Sequence, residues 1–200
     1  MMRTPYSRNA LILAGLVTLF VVALVLAAVK NSILTPTPLS ELPKTIPVDA
    51  PADWRAIPFT NVRTNQSITF ADFAGKTVVV QAVSIWCANC VVQQKESAKA
   101  LTQLGDAAPV YISLDLDIAH PDDDAESVAK HEDYKQFPWI FAITNKTLTR
   151  ALITEFGYNV LNPPITPIFV IRPDGTASDL YTGSRSADEM LTMLTTQFKS

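Results

Sequence analysis

Cysteine, histidine, glycine and charge are all scarce in this chain. Two cysteines in 200 residues are too few to staple a disulfide-rich mini-domain. Two histidines leave little for a histidine-rich metal site. Six glycines exclude a collagen-like repeat, and a charged fraction of 18% excludes a highly charged disordered chain. A formal charge of −3 argues against nucleic acid as a partner, since such binders carry a basic patch. What the chain does have is apolar content, 48%, enough for an ordinary globular domain that is free or tied to a membrane.

Part of that content is concentrated at the start. Residues 10–29 carry no charge and are mostly Leu, Val and Ala. As a helix they would span roughly 30 Å, the thickness of a bilayer core. A cleaved signal peptide is the competing reading, with Val25-Leu26-Ala27 before Ala28 as its cleavage site, but the apolar run is long for that. An uncleaved anchor in the lipid bilayer is therefore expected. Arg3, Arg8 and the terminal amine precede the span, whereas Lys30 and Lys44 follow it. The bias puts residues 1–9 in the cytoplasm and everything after Val29 outside, giving a single-pass protein of the cytoplasmic membrane. Pro36, Pro38, Pro43, Pro47 and Pro51 make residues 30–52 an extended linker that reaches up to roughly 70 Å.

Residues 53–200 have the length of one domain. A hairpin is expected from Ile57–Thr60 and Ser67–Phe70 around Arg63-Thr64-Asn65-Gln66, then a buried strand over Thr77–Val83. A helix follows over 88–104, a strand over Val110–Leu116 and a helix over Ala125–Gln136 behind the acidic Asp122-Asp123-Asp124. A short strand at Trp139–Ile143 and a helix at Leu148–Phe156 come next. Ile168–Ile171 and Ala177–Tyr181 flank the turn Arg172-Pro173-Asp174-Gly175. Ser186 and Glu189, at capping-box spacing, open a last helix to Phe198. Alternating strands and helices predict an α/β sandwich.

The chemistry is concentrated in Trp86-Cys87-Ala88-Asn89-Cys90, where the buried strand gives way to a helix. Cysteines at i and i+3 share a helix face and can close a small disulfide ring. Cys87 falls at the helix start, where unpaired N–H groups and the helix dipole favour a thiolate. Cys90 falls one turn in. Cys87 then attacks a substrate disulfide and Cys90 resolves the mixed disulfide. Other uses of the pair are a structural staple, a zinc half-site and two idle thiols. Against them, so small a ring staples almost nothing, no second cysteine pair exists, and thiols rarely stay idle outside the cytoplasm. His120 and His131 flank the acidic run, which reads more readily as a charged helix start than as a metal site; no metal is expected.

Pro163-Pro164-Ile165-Thr166-Pro167 precedes the strand Ile168–Ile171. With this loop the chain resembles the thioredoxin superfamily over about residues 57–198, most of all its membrane-anchored TlpA/ResA-type thiol–disulfide oxidoreductases. The matching pieces are Phe73-Ala74-Gly75-Lys76-Thr77-Val78-Val79-Val80, the Trp86–Cys90 motif, Thr166-Pro167, Ile168-Phe169-Val170-Ile171-Arg172-Pro173-Asp174-Gly175, and Gly183. Together they are specific to the superfamily and less so to any branch. The resemblance implies a thioredoxin-like fold, a central mixed β-sheet flanked by helices behind an N-terminal transmembrane helix. It implies that Cys87 and Cys90 are catalytic, with a redox-active disulfide and no other cofactor. It makes Pro167 a cis-proline beside the cysteines, the Thr166 backbone a strand-like edge for substrate, and Trp86 part of a docking surface that shields the disulfide.

The departures from the family bear on the proton. Asn89 stands where relatives often have proline. Gln81 and Gln93 stand where relatives keep a carboxylate that takes the proton of the second cysteine. A glutamine can orient a water but cannot accept that proton. Glu96 and Asp115 are the candidates to replace it. Peroxidase chemistry is not expected, because Val80 and Ser84 occupy the positions where peroxiredoxins need Pro and Thr. The copper chaperones of this fold use a CxxxC pair and a distal His, so the cysteine spacing does not match. The expected function is disulfide reduction or exchange on a protein disulfide or dithiol substrate, as in cytochrome c maturation, fed by an upstream electron donor of the membrane. The alternative is a non-catalytic thioredoxin-like module that binds a metal or a partner.

Overall fold

The β-branched run at Thr77–Val83 is the pattern of a strand covered on both faces. In the computed structural model, β3 (Val78–Val83) is buried along its whole length. The structure describes residues 53–116 and 124–197, which belong to one compact unit, Asp49–Ser200. The expected anchor (10–29), the linker (30–52), His120, Asp122, Asp123 and Phe198 lie outside the described residues.

Five further strands surround β3: β1 (Phe59–Asn61), β2 (Gln66–Ile68), β4 (Val110–Asp115), β5 (Ile140–Ile143) and β6 (Ile168–Ile171). They form one sheet in the order β2-β1-β5-β4-β3-β6. The three central strands β3, β4 and β5 are parallel, and the flanking pairs are antiparallel. The register sets Gln81 beside Ser113 and Val83 beside Asp115. Among the described residues four helices cover the sheet: α1 (Ala88–Leu104), α2 (Ala125–Lys130), α3 (Lys146–Phe156) and α4 (Ala187–Gln197).

The alternation of side chains along β3 divides the core between the two faces. Val78, Val80 and Ala82 pack with Ile112, Leu114, Phe169 and the α3 residues Leu148 and Leu152. On the other face, Val79 and Tyr111 pack against Ala100 of α1 and Met190 and Leu194 of α4. Toward the end of β3, Val83 meets Cys87, Cys90, Val91 and Phe141. The result is a thioredoxin-like α/β sandwich with a mixed sheet, in which β3 delivers the chain to the cysteine pair.

Two expected elements differ. The helix expected over Ala125–Gln136 ends at Lys130; His131 leaves the helical region (ψ 118°) and a 3₁₀ turn covers Glu132–Gln136. At about 100° per residue, an unbroken helix would put Val128 on a different face from Tyr134 and Phe137. The break lets all three enter one cluster, with Tyr134 stacked on Phe141 at 4.4 Å. Ala177–Tyr181 is no full strand either; only single bridges join Ile171 to Ala177 and Ile168 to Tyr181. The Ser178 hydroxyl, not a backbone carbonyl, accepts the Val170 N–H at 3.0 Å, which interrupts the ladder.

Two helix starts contribute to the acid sensitivity of the fold. Asp124 caps α2 by accepting the Ser127 N–H at 2.7 Å, and Glu189 accepts the Ser186 N–H at 2.8 Å ahead of α4. These backbone hydrogen bonds hold both carboxyls below their ordinary range. A lowered folded-state pKa contributes stability above the unfolded value that is lost as pH falls through the folded one. The melting temperature is therefore expected to drop on acidification through the carboxylate range. Calorimetry on Asp124→Asn/Glu189→Gln should show a shallower drop; an unchanged slope would count against these caps.

Candidate active site

After β3 the chain turns through Ser84, Ile85 and Trp86, and the Cys87 N–H donates to the Ser84 carbonyl at 3.0 Å. Cys87 is the N-cap of α1, with φ −88° and ψ 93°, and its Sγ accepts the Cys90 N–H at 3.1 Å. The two cysteines form a disulfide with a Cα–Cα separation of 5.3 Å. When the bond is reduced, that N–H and the positive helix end favour a thiolate on Cys87. Trp86, 48% exposed, and the exposed Asn89 flank it on the solvent side.

Cys90 sits in a different field. It is fully buried among Val83, Val91, Val128, Tyr134, Phe137 and Phe141. Its Sγ lies 3.4 Å from the Pro163 carbonyl oxygen and 4.0 Å from that of Ala82. Apolar walls and carbonyl oxygens favour a neutral thiol over a thiolate. The pair is thus asymmetric, with an N–H on one sulfur and carbonyls on the other.

Gln81 and Gln93, the expected relay positions, belong to one buried chain of hydrogen bonds. The Arg185 N–H donates to Gln93 Oε1 at 2.6 Å, and Gln93 Nε2 donates to Ser97 Oγ at 3.5 Å. Ser97 Oγ lies 3.0 Å from the Tyr111 hydroxyl, which donates to Gln81 Oε1 at 2.6 Å; Gln81 Nε2 donates to the Cys90 carbonyl at 3.3 Å. One proton order satisfies the whole chain, with Ser97 donating to Tyr111. Burial pushes the Tyr111 hydroxyl far above its ordinary range, so this network orients α1 and releases no proton near neutrality. Tyr111 and Ser97 went unrecognised in the sequence, because only the β3–β4 register and the face of α1 bring them to Gln81.

Glu96 is placed elsewhere. One carboxylate oxygen accepts the Ala187 N–H at 3.0 Å, and the other pairs with Lys99 at 2.5 Å. The Lys99 bond, then the Ala187 bond, holds its carboxyl below the ordinary range. Glu96 ties α1 to the start of α4, while Cys90, Gln93 and Ser97 occupy the buried face of α1. Asp115 is fully buried at the end of β4, on the face it shares with Val83.

The proline loop corrects the expected geometry. No cis peptide bond occurs among the described residues, so the Thr166–Pro167 bond is trans. A left-handed Thr166 (φ 49°, ψ 61°) turns the chain there, after a 3₁₀ turn over Pro163–Ile165. Such a conformation costs a β-branched residue about 1–3 kcal/mol and is held by its surroundings. Thr166 is fully buried and its N–H donates to the Pro163 carbonyl at 2.7 Å, so that N–H offers no edge to a substrate strand. Pro167 is also buried, and its carbonyl accepts the Ala82 N–H at 2.9 Å. The loop does border the cysteines, but through Pro163. A backbone oxygen carries no sequence signal, so this contact was not foreseeable. Nor was the bond from Asn89 Nδ2 to the Pro164 carbonyl at 3.1 Å.

Among the described residues no group of three or more His, Cys, Asp or Glu side chains is placed to hold a metal ion. No protein-family model and no curated protein matches the chain. Solved structures do. A thiol:disulfide interchange protein of the thioredoxin family from Chlorobium tepidum is 16% identical, with 70% of this chain and 94% of that one covered at a TM-score of 0.56. A secreted Mycobacterium tuberculosis disulfide oxidoreductase homologous to E. coli DsbE is 15% identical, with 72% and 97% covered at 0.51. Yeast Sco1 with copper bound is 13% identical, with 72% and 90% covered at 0.58. At these identities the likeness is one of architecture, and the described residues, 53–116 and 124–197, have the thioredoxin-like fold.

Proposed function

We propose that this chain is a thiol–disulfide oxidoreductase acting on protein disulfides through Cys87 and Cys90. The observation that carries the reading is the disulfide across the first turn of α1, with an N–H at 3.1 Å from one sulfur and a carbonyl at 3.4 Å from the other. The reduced Cys87 thiolate attacks a substrate disulfide and expels one substrate sulfur as a thiolate, which takes up a proton. Cys90 then loses its proton and attacks Cys87 Sγ, which closes the internal disulfide and releases the second substrate thiol. Two electrons pass from the protein to the substrate in each cycle. Two of the similar solved structures bear descriptions of disulfide interchange or oxidoreduction, which supports the same chemistry.

The direction is read as reduction or exchange, of the kind used in cytochrome c maturation. Ala88-Asn89 places no positive charge beside Cys87, so its thiolate lacks the stabilisation beyond the helix start that a strong oxidant draws on. Equilibration of the pair against glutathione tests this. A potential near about −270 mV or lower is expected, and one near about −120 mV would reverse the direction.

The reading places the domain outside the cytoplasm, tethered by residues 10–29 and supplied by an electron donor of the same membrane. The chain is expected to stay in the membrane fraction through an alkaline wash, with its N-terminus intact. Recovery of a soluble protein beginning near Ala28 would replace the anchor with a cleaved signal.

A further inference from the structure

The Pro163 carbonyl is 3.4 Å from Cys90 Sγ in the oxidised protein, where the sulfur has no proton to donate. Reduction changes the chemistry of that contact. A partner dithiol supplies two electrons and two protons and leaves as a disulfide, the Cys87–Cys90 bond breaks, and Cys90 becomes a thiol. We propose that this thiol donates its hydrogen to the Pro163 carbonyl, and that Asn89 is the positioning residue that keeps the acceptor there. The inference deepens the disulfide-exchange reading and rests on it.

Four features of the site support the assignment. The Pro163 oxygen already accepts the Thr166 N–H at 2.7 Å, which fixes its direction and leaves one lone pair for a second donor. The other oxygen near the sulfur, that of Ala82, is farther away at 4.0 Å. Pro163 and Pro164 have no N–H, so this part of the loop can be tied to α1 only by a donor on the helix. Asn89 supplies it, 3.1 Å from the Pro164 carbonyl and one residue before Cys90.

On the elements packed around Cys90, the ionisable groups that turn inward are Asp115 on β4 and Tyr134 beyond α2, with His131 against the Tyr134 ring; Lys95 and Lys99 on α1, Glu126 and Lys130 on α2, and Asp133 and Lys135 are exposed, and Glu96 is bonded to Lys99 and Ala187. Asp115, a buried acid on the sheet face that Cys90 covers, is the rival acceptor. A carbonyl stabilises the thiol and offers nothing to the thiolate, so the Pro163–Asn89 arrangement holds the resolving sulfur protonated until exchange begins.

The test uses the full-length chain with Cys87→Ser, which leaves Cys90 as the one thiol, and reads its S–H stretching band by infrared spectroscopy. The band is expected below the position of a free thiol. Asn89→Ala and Asn89→Asp should each return it toward that position, and Asp115→Asn should leave it in place. In the same background, Asn89→Ala should move the pH midpoint of Cys90 alkylation downward and raise the neutral-pH rate roughly threefold or more. A loop that was merely loosened would raise the rate equally at every pH and leave the midpoint unmoved. A free-thiol band in Cys87→Ser, or one that answers to Asp115→Asn and not to Asn89→Ala, overturns the proposal. The band needs no substrate, so this result is separate from whether the wild-type chain exchanges disulfides.

Discussion

Cys90→Ser is expected to convert the chain into a trap. Substrates should accumulate as mixed disulfides on Cys87, visible as reductant-sensitive adducts on a non-reducing gel, and turnover should fall to background. Cys87→Ser should also abolish turnover but capture few partners. The difference follows from the two environments. Cys87 stands at the helix N-terminus with the Cys90 N–H at 3.1 Å, whereas Cys90 has two carbonyl oxygens near its sulfur; Cys87 keeps 3% of its surface exposed and Cys90 none. The attacking sulfur must be a thiolate, and only Cys87 has a donor that favours one. If Cys90 proves the faster-reacting thiol toward alkylation at neutral pH, the assignment of nucleophile and resolver is reversed.

Resolution is expected to be the pH-dependent step. Gln81 and Gln93 carry no ionisable group and are both satisfied within a neutral network. Glu96 is bound to Ala187 and Lys99. Decay of a preformed mixed disulfide should then be slow at neutral pH and quicken by about tenfold per unit as pH rises toward the pKa of Cys90. Gln93→Glu places a carboxylate on the α1 face that carries Cys90 and should raise the neutral-pH rate. Gln81→Asp should act similarly but loses the donor to the Cys90 carbonyl. Leaving buried polar groups unpaired costs about 1–3 kcal/mol, so both variants should be less stable, the second more so. Stopped-flow measurements between about pH 6 and 9 bracket an ordinary thiol and check the prediction. A fast, flat wild-type profile would show that another base serves Cys90, and Asp115→Asn would be the next variant to measure.

Much of this molecule is determined by the sequence alone. The apolar β-branched run at Thr77–Val83 and the helical pattern at 88–104 fall within a residue of β3 and α1, because local periodicity and burial agree there. The cysteine pair at the strand-to-helix junction follows from the same agreement. Only the tertiary structure decided the remainder. Helix α2 stops at Lys130 because Tyr134 and Phe137 are drawn beneath the sheet, a demand that local pattern does not express. The Thr166–Pro167 bond is trans, and a left-handed Thr166 whose N–H is bonded to Pro163 turns the chain there. The groups around Cys90 are the Pro163 and Ala82 carbonyls, which every sequence possesses, and side chains such as Tyr134 and Phe141 that only the tertiary fold brings to that face. Strand and helix arise from neighbours along the chain, whereas the charge and proton balance of a buried sulfur arises from neighbours in space.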